Sequence, residues 1–169
     1  GKLLGDMTDG IGCINALKLN GFSVTGKKIV LIGGGGAGSA IADAIGEHRA
    51  AQLSLVEIDK LKSDTLLLKL QKQYPALTLE NNISRPEEID IVINASPSGM
   101  NKNDLLPIAP YTFRCGIVIA DSVTKPNFTP FLKSAKNNGC FIQKGSEMAD
   151  AQLPIFLDFL GTPPENSHV

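Results

Sequence analysis

An excess of charge of either sign is missing: 16 Lys and Arg stand against 17 Asp and Glu, a formal net charge of −1. Without a basic surface, neither nucleic acid nor an anionic membrane is expected as a partner. No apolar run approaches the length of a membrane-spanning helix, so no span is expected. Cysteine is scarce and odd in number. Cys13, Cys115 and Cys140 lie far apart, form no CxxC pair and have no metal-ligand spacing. They read as reduced thiols in a reducing compartment, and a cytoplasmic location is expected. The scattered Asp and Glu show no metal spacing either, so no metal is expected. Internal repeats and low-complexity segments are absent. The chain opens Gly1-Lys2-Leu3-Leu4-Gly5, with neither an initiator Met nor a signal peptide, and is expected to be a piece of something longer.

What is present is a globular composition, 43% apolar and 20% charged, in a length suited to one domain with a real core. One stretch organises the rest. Ile29-Val30-Leu31-Ile32 is a β-branched apolar run that ends abruptly in Gly33-Gly34-Gly35-Gly36-Ala37-Gly38-Ser39-Ala40. This pattern predicts a buried parallel strand, a tight turn and the first turn of a helix. Gly33, Gly35 and Gly38 fit the G-x-G-x-x-G spacing of a dinucleotide-binding turn. The first glycine permits the bend, the second lets the backbone approach a pyrophosphate, and the third lets helix and strand pack closely. Gly36 and Ala37 then open the helix, whose free N–H groups and positive dipole end face the phosphates. A glycine turn with a purely structural role is the alternative.

Along the chain, a helix is expected over residues 11–20, capped by Thr8 or Asp9. Strands follow at Ile29–Ile32, Leu53–Ile58, around Leu77 and Leu79, at Ile89–Ala95, at Gly116–Asp121 and at Phe141–Ile142. Between them, helices are expected from the glycine turn to Glu47-His48-Arg49, over Leu61–Tyr74, from Thr129-Pro130 to Gly139, and over Glu147–Leu160 with a kink at Pro154. Ser84-Arg85-Pro86-Glu87 resembles a capping box opening a single helical turn. Residues 162–169 read as a frayed tail. The alternation predicts an α/β, Rossmann-type, doubly wound and mostly parallel sheet of about six strands with helices on both faces. Its ligand crevice would lie at the carboxyl ends of the strands, where Gly33–Gly38, Glu57–Asp59, Ala95–Met100 and Asp121–Pro126 converge.

Glu57 follows Gly38 by 19 residues. A carboxylate there can accept hydrogen bonds from both hydroxyls of the adenosine ribose, and it repels a 2′-phosphate. No arginine stands between Arg49 and Arg85 to welcome that phosphate. NAD is therefore favoured over NADP, with Glu57 and Asp59 as candidate ribose ligands. Either carboxylate could instead cap the next helix.

Five stretches, in order, resemble the shikimate dehydrogenase family. Gly5-Asp6-Met7-Thr8-Asp9-Gly10 is similar to its Gly-x-Asn-Thr-Asp-Gly motif, and Gly33–Gly38 to its glycine turn. Ile93-Asn94-Ala95-Ser96-Pro97-Ser98-Gly99-Met100 resembles its Asn-Ala-Thr-Pro-x-Gly-Met loop. Asp121–Pro126 is similar to its Asp-x-x-Tyr-x-Pro stretch, and Gly145–Gln152 to its Gly-x-x-Met-x-x-x-Gln segment. The resemblance implies a two-domain oxidoreductase that reversibly reduces a 3-dehydroshikimate-type ketone with a nicotinamide cofactor, in aromatic amino acid biosynthesis. Residues 1–20 would carry the motif on a connecting helix and 21–161 would be the NAD(P)-binding domain. The N-terminal substrate domain would be missing from this chain.

By the same resemblance, Asn94, Ser96, Pro97 and Met100 would hold the nicotinamide side of the cofactor, with Gly145 near the ring. Asp9 would be the catalytic carboxylate that works with a lysine of the absent domain. Asp9, Met7 and Gln152 would face a small hydroxy-acid substrate. The chain alone would then be inactive.

Three departures stand out. Met7 replaces an asparagine whose amide hydrogen-bonds substrate in the family, and a thioether has no such donor. Thr124 replaces a tyrosine. Glu57-Ile58-Asp59 replaces the Asn-Arg-Thr pattern of NADP-using members. A non-catalytic NAD-binding or regulatory module derived from the family is the alternative. Nothing in the sequence sets an oligomeric state.

Overall fold

The computed structural model describes residues 7–109 and 112–161. Gly5 and Asp6 of the first motif, and the tail from Thr162, lie outside them. Six parallel strands form one sheet: β1 (Lys28–Ile32), β2 (Gln52–Val56), β3 (Thr78–Asn81), β4 (Ile91–Asn94), β5 (Val118–Asp121) and β6 (Phe141–Gln143). Their spatial order is β3-β2-β1-β4-β5-β6. The chain moves outward from β1 through β2 to β3, then returns to the other side of β1 and moves outward again. The reversal falls between β1 and β4, whose carboxyl ends flank the crevice.

Burial explains why these segments read as continuous apolar runs. Ile29, Leu31, Leu53, Leu55, Ile91 and Ile93 face one core, while Val30, Ile32, Val92 and Ile119 face another. Both faces of the central strands are covered, as a parallel sheet requires. The first core is closed by α1 (Asp9–Leu19), α2 (Gly36–Glu47), α3 (Lys60–Gln73) and α5 (Gly145–Phe159), through residues such as Leu17, Ile41, Leu70 and Met148. The second is closed by α4 (Pro130–Asn137), through Phe131, Leu132 and Ala135, together with Phe113 and Ile117 from the connection between β4 and β5. Helices therefore cover both faces, unequally. Within this core the Cys13 thiol is pushed up to about 12 by burial, so it is held protonated as a packing residue. No described helix is long and apolar enough to cross a membrane.

Four local expectations are corrected. β2 stops at Val56, two residues before Ile58, which is fully exposed. Past Val56 the chain leaves the sheet to build a helix cap. The capping box at Ser84 does not form, because the Ser84 hydroxyl donates to the Glu80 carboxylate (2.9 and 3.0 Å). Pro86–Glu88 makes a 3₁₀ turn behind an Arg85–Glu88 ion pair (2.8 Å) instead. Thr8 occupies the N-cap position of α1, yet its side chain makes no capping bond. Finally, α5 begins at Gly145 rather than Glu147: the Glu147 carboxylate reaches back to accept from the Lys144 N–H (3.0 Å) and closes the first turn.

Candidate functional site: a dinucleotide crevice

The crevice is built from the carboxyl ends of β1, β2 and β4. Gly33 takes φ +95°, a left-handed conformation that favours glycine, and turns the chain out of β1. A side chain at Gly33 would press on the Ala95–Ser96 backbone, at 3.0–3.1 Å, so the turn and the loop after β4 touch. At Gly38 a Cβ would run into the Gly33 carbonyl, which is how the bare α-carbon lets α2 close on its own strand. Around Gly35 the space where a Cβ would sit is open to 4 Å, and at Gly36 only the Met7 methyl lies near, at 3.6 Å. The turn thus offers an uncovered backbone and the N-terminus of a 12-residue helix, the geometry of an anion cradle. Gly36 and Ala37 form its first turn.

Glu57 closes the second side. Its Oε2 accepts from the Gly34 N–H at 2.6 Å, and its Oε1 from the Asp59 N–H at 2.9 Å. These two backbone donors hold its carboxyl below the usual carboxylate range, so it is ionised and pinned beside the glycine turn. Asp59 points elsewhere: it caps α3, accepting from the Leu61 and Lys62 N–H groups at 3.0 and 3.2 Å.

The loop after β4 forms the third wall. Ser96, Pro97 and Met100 lie on it, with Met100 exposed. Asn94 lies behind it rather than on its open face: it is fully buried and every valence of its amide is used. Its Nδ2 donates to Asp121 Oδ1 (2.9 Å) and to the Ser98 carbonyl (3.2 Å). Its Oδ1 accepts from the Ser96 hydroxyl (2.6 Å) and the Ser96 N–H (3.1 Å).

The remaining candidates gather where α1 meets α5. Thr8 donates its hydroxyl to Gln152 Oε1 at 2.6 Å, bringing the segment 7–9 and the last helix together. A side chain at Gly12 would collide with Gln152, so this glycine admits it. Asp9, half-buried, stands in the first turn of α1 and makes no ion pair among the described residues. At Gly145 a Cβ would meet the Val123 carbonyl, so α5 starts directly against the chain leaving β5. Met7, half-exposed, brings its methyl against the start of α2 at Gly36.

Sequence reasoning missed Thr8 as a tether. Its signal was there, in a hydroxyl between two motif residues, but it was read as a cap. It also missed Asp121 and Thr129 as partners behind the loop. Among the described residues no group of three or more His, Cys, Asp or Glu could hold a metal ion.

Sheet order, glycine turn and pinned carboxylate together define a Rossmann-type dinucleotide-binding domain. No family model matches the chain. Over 152 residues it is 30% identical to a shikimate dehydrogenase (NADP(+)) of Bacillus cereus strain AH187, a match covering 88% of this chain and 55% of the relative. The structure of a 5-ketofructose reductase from Gluconobacter sp. strain CHM43 superposes with a TM-score of 0.86 at 33% identity, over 94% of this chain and 59% of that one. A shikimate 5-dehydrogenase of Listeria monocytogenes, solved with shikimate and NAD, superposes with a TM-score of 0.80 at 26% identity, over 89% and 56%. The chain is similar to members of the shikimate/quinate dehydrogenase family, and it spans about half the length of the curated relatives it matches.

Proposed function

We propose that this chain is the nicotinamide-cofactor-binding domain of a shikimate- or quinate-dehydrogenase-like oxidoreductase that prefers NAD to NADP. The observation that carries this reading is the pairing of an open glycine turn at Gly33–Gly38 with an ionised Glu57 held 2.6 Å from the Gly34 N–H. The residues fit a dinucleotide. Backbone amides of Gly35, Gly36 and Ala37 would receive the pyrophosphate, with the positive end of α2 behind them. Glu57 Oε1 and Oε2 would accept from the ribose hydroxyls, and their charge would repel a 2′-phosphate. Because Asp59 is committed to the α3 cap, Glu57 carries this discrimination. Ser96, Pro97 and Met100 would line the nicotinamide side, near Gly145.

When bound, the nicotinamide supplies or accepts the hydride. The chain's own part is proton handling and positioning. A carboxylate at Asp9 would hold and tune a base that takes the hydroxyl proton of the substrate. With its Oε1 taken by Thr8, Gln152 would offer its amide N–H₂ to a substrate oxygen. The base itself, a lysine by family resemblance, would come from a substrate domain outside this chain.

A polyhydroxy ketone rather than a cyclohexene acid is a second reading for the substrate. Met7 favours it, since the amide that reads shikimate hydroxyls in the family is missing here. So does the likeness to the 5-ketofructose reductase.

Isothermal titration with NAD and NADP tests the cofactor reading. NAD is expected to bind more tightly, and Glu57→Ala is expected to bring the two affinities closer by about tenfold, the value of one charge-assisted ribose contact. A wild-type chain that binds neither at millimolar concentration would overturn it.

A further inference from the structure

A closed set of buried hydrogen bonds stands behind the loop that lines the far side of the crevice. Asn94 and Asp121 face each other in register at the carboxyl ends of β4 and β5, and both are buried. Every valence of the Asn94 amide is used, and two of its bonds go to Ser96. The orientation of that amide fixes where Ser96 and the Ser98 carbonyl lie. The amide is itself oriented from the sheet side by Asp121 Oδ1, the shorter of the two acceptors that select its N–H₂ edge, the other being the Ser98 carbonyl.

Asp121 is anchored in turn. Its Oδ1 also takes the Val123 N–H (3.1 Å), and its Oδ2 takes the Thr129 hydroxyl (2.6 Å). Thr129 is fully buried and caps α4, accepting from the Leu132 N–H (3.2 Å). Its side chain also packs 3.6–3.7 Å from where a Cβ would sit on Gly99, the loop glycine with φ +104°. Thus β4, β5 and the cap of α4 meet at one carboxylate, and the 95–100 loop rests on two of its partners, Asn94 and Thr129. All three donors to Asp121 point inward, and neither Asp121 nor Thr129 reaches the open face of the crevice.

We propose that Asp121 and Thr129 are positioning residues for the nicotinamide half of the cofactor, acting through Asn94 on the Ser96–Met100 loop. The proposal rests on the dinucleotide reading above and sharpens it: affinity for the two ends of the cofactor is set by separate parts of the fold. The adenosine end depends on the glycine turn and Glu57, at β1 and β2. The nicotinamide end depends on a hub between β4, β5 and α4, on the other side of the reversal in strand order.

The test compares NAD with ADP-ribose, which keeps the adenosine and pyrophosphate and lacks the nicotinamide ring. Both are titrated into the wild-type chain and into Asp121→Asn, Thr129→Val and Thr129→Ser. Asp121→Asn turns Oδ2 into a donor facing the Thr129 hydroxyl, and Thr129→Val removes that hydroxyl. Each is expected to weaken NAD binding about tenfold, the loss of one buried hydrogen bond to a charged group, while ADP-ribose binding stays within about twofold of wild type. Thr129→Ser keeps both hydroxyl bonds and is expected to restore NAD affinity. Retained ADP-ribose binding shows that a variant is folded, so loss of fold cannot imitate the result. Equal weakening of both ligands, or unchanged NAD affinity in a variant that binds ADP-ribose, would overturn the proposal. A wild-type chain that binds ADP-ribose but not NAD would overturn it too. A wild-type chain that binds neither ligand would instead bring down the dinucleotide reading on which it rests.

Discussion

Glu57 shows how much one side chain can decide. It sits just past the end of β2, where a carboxylate has two backbone donors within reach and takes both. Both bonds together are strongest while the side chain is ionised, since protonation turns one oxygen into a donor, and they lower its pKa below the ordinary value of 4.5. The sign follows from linkage: a depressed folded pKa adds stability that is complete above the unfolded value and is lost as pH falls through the folded one. Acid should therefore loosen the Gly34 contact, and with it the turn. Glu57→Gln, which cannot be ionised at any pH, is expected to show a smaller drop in Tm between pH 7 and pH 4 than the wild-type chain, measured by scanning calorimetry in matched ionic strength. Equal drops would mean that the carboxylate contributes nothing to holding the turn.

At the scale of elements, what the sequence could reveal follows from how local each cause is. β1 and the glycine turn were legible because their causes lie within a dozen residues: an apolar run buried on both faces, then glycines where a Cβ would hit backbone. The capping box at Ser84 was misread because Glu80, only four residues back on β3, takes the same hydroxyl, a local competitor that the Ser-x-x-Glu pattern does not weigh. Thr8 was misread for a different reason, its acceptor being 144 residues away. The role of Asn94 was misplaced because motif spacing puts a residue at a loop but does not say which side of the loop it faces.

Asp59 is the instructive intermediate. Position alone leaves it both a ribose ligand and a cap, and two hydrogen bonds to α3 decide for the cap. Asp59→Ala should then cost about 1 kcal/mol in urea unfolding, the usual value of an N-cap, and leave NAD affinity nearly unchanged. A large loss of NAD affinity with unaltered stability would return Asp59 to the crevice.

At the scale of the whole molecule, binding and chemistry separate. The sheet, its reversal between β1 and β4, the glycine turn and the β4–β5–α4 hub are all within the described residues, so the parts that would hold a dinucleotide are present together. On the reading proposed above, Asp9 is only half of the proton relay and the base comes from outside this chain. Asp9 has no cationic partner among the described residues, and the relatives are nearly twice as long as the matched stretch. A positioned acid or base contributes about 10²–10⁴-fold to such a reaction, and a lone carboxylate with nothing to tune supplies little of it. The 169-residue chain should therefore behave as a competent binder and an incompetent catalyst. NAD at 100 times its Kd is expected to stabilise it by about 2.7 kcal/mol, a rise in Tm of about 5–10 °C for a domain of this size. The same preparation, given shikimate, quinate or 5-ketofructose with either cofactor, is expected to show no change in NAD(P)H absorbance above the buffer blank. Turnover by the chain alone would mean that the proton relay is complete within it, and that Asp9 does not wait on a lysine from elsewhere.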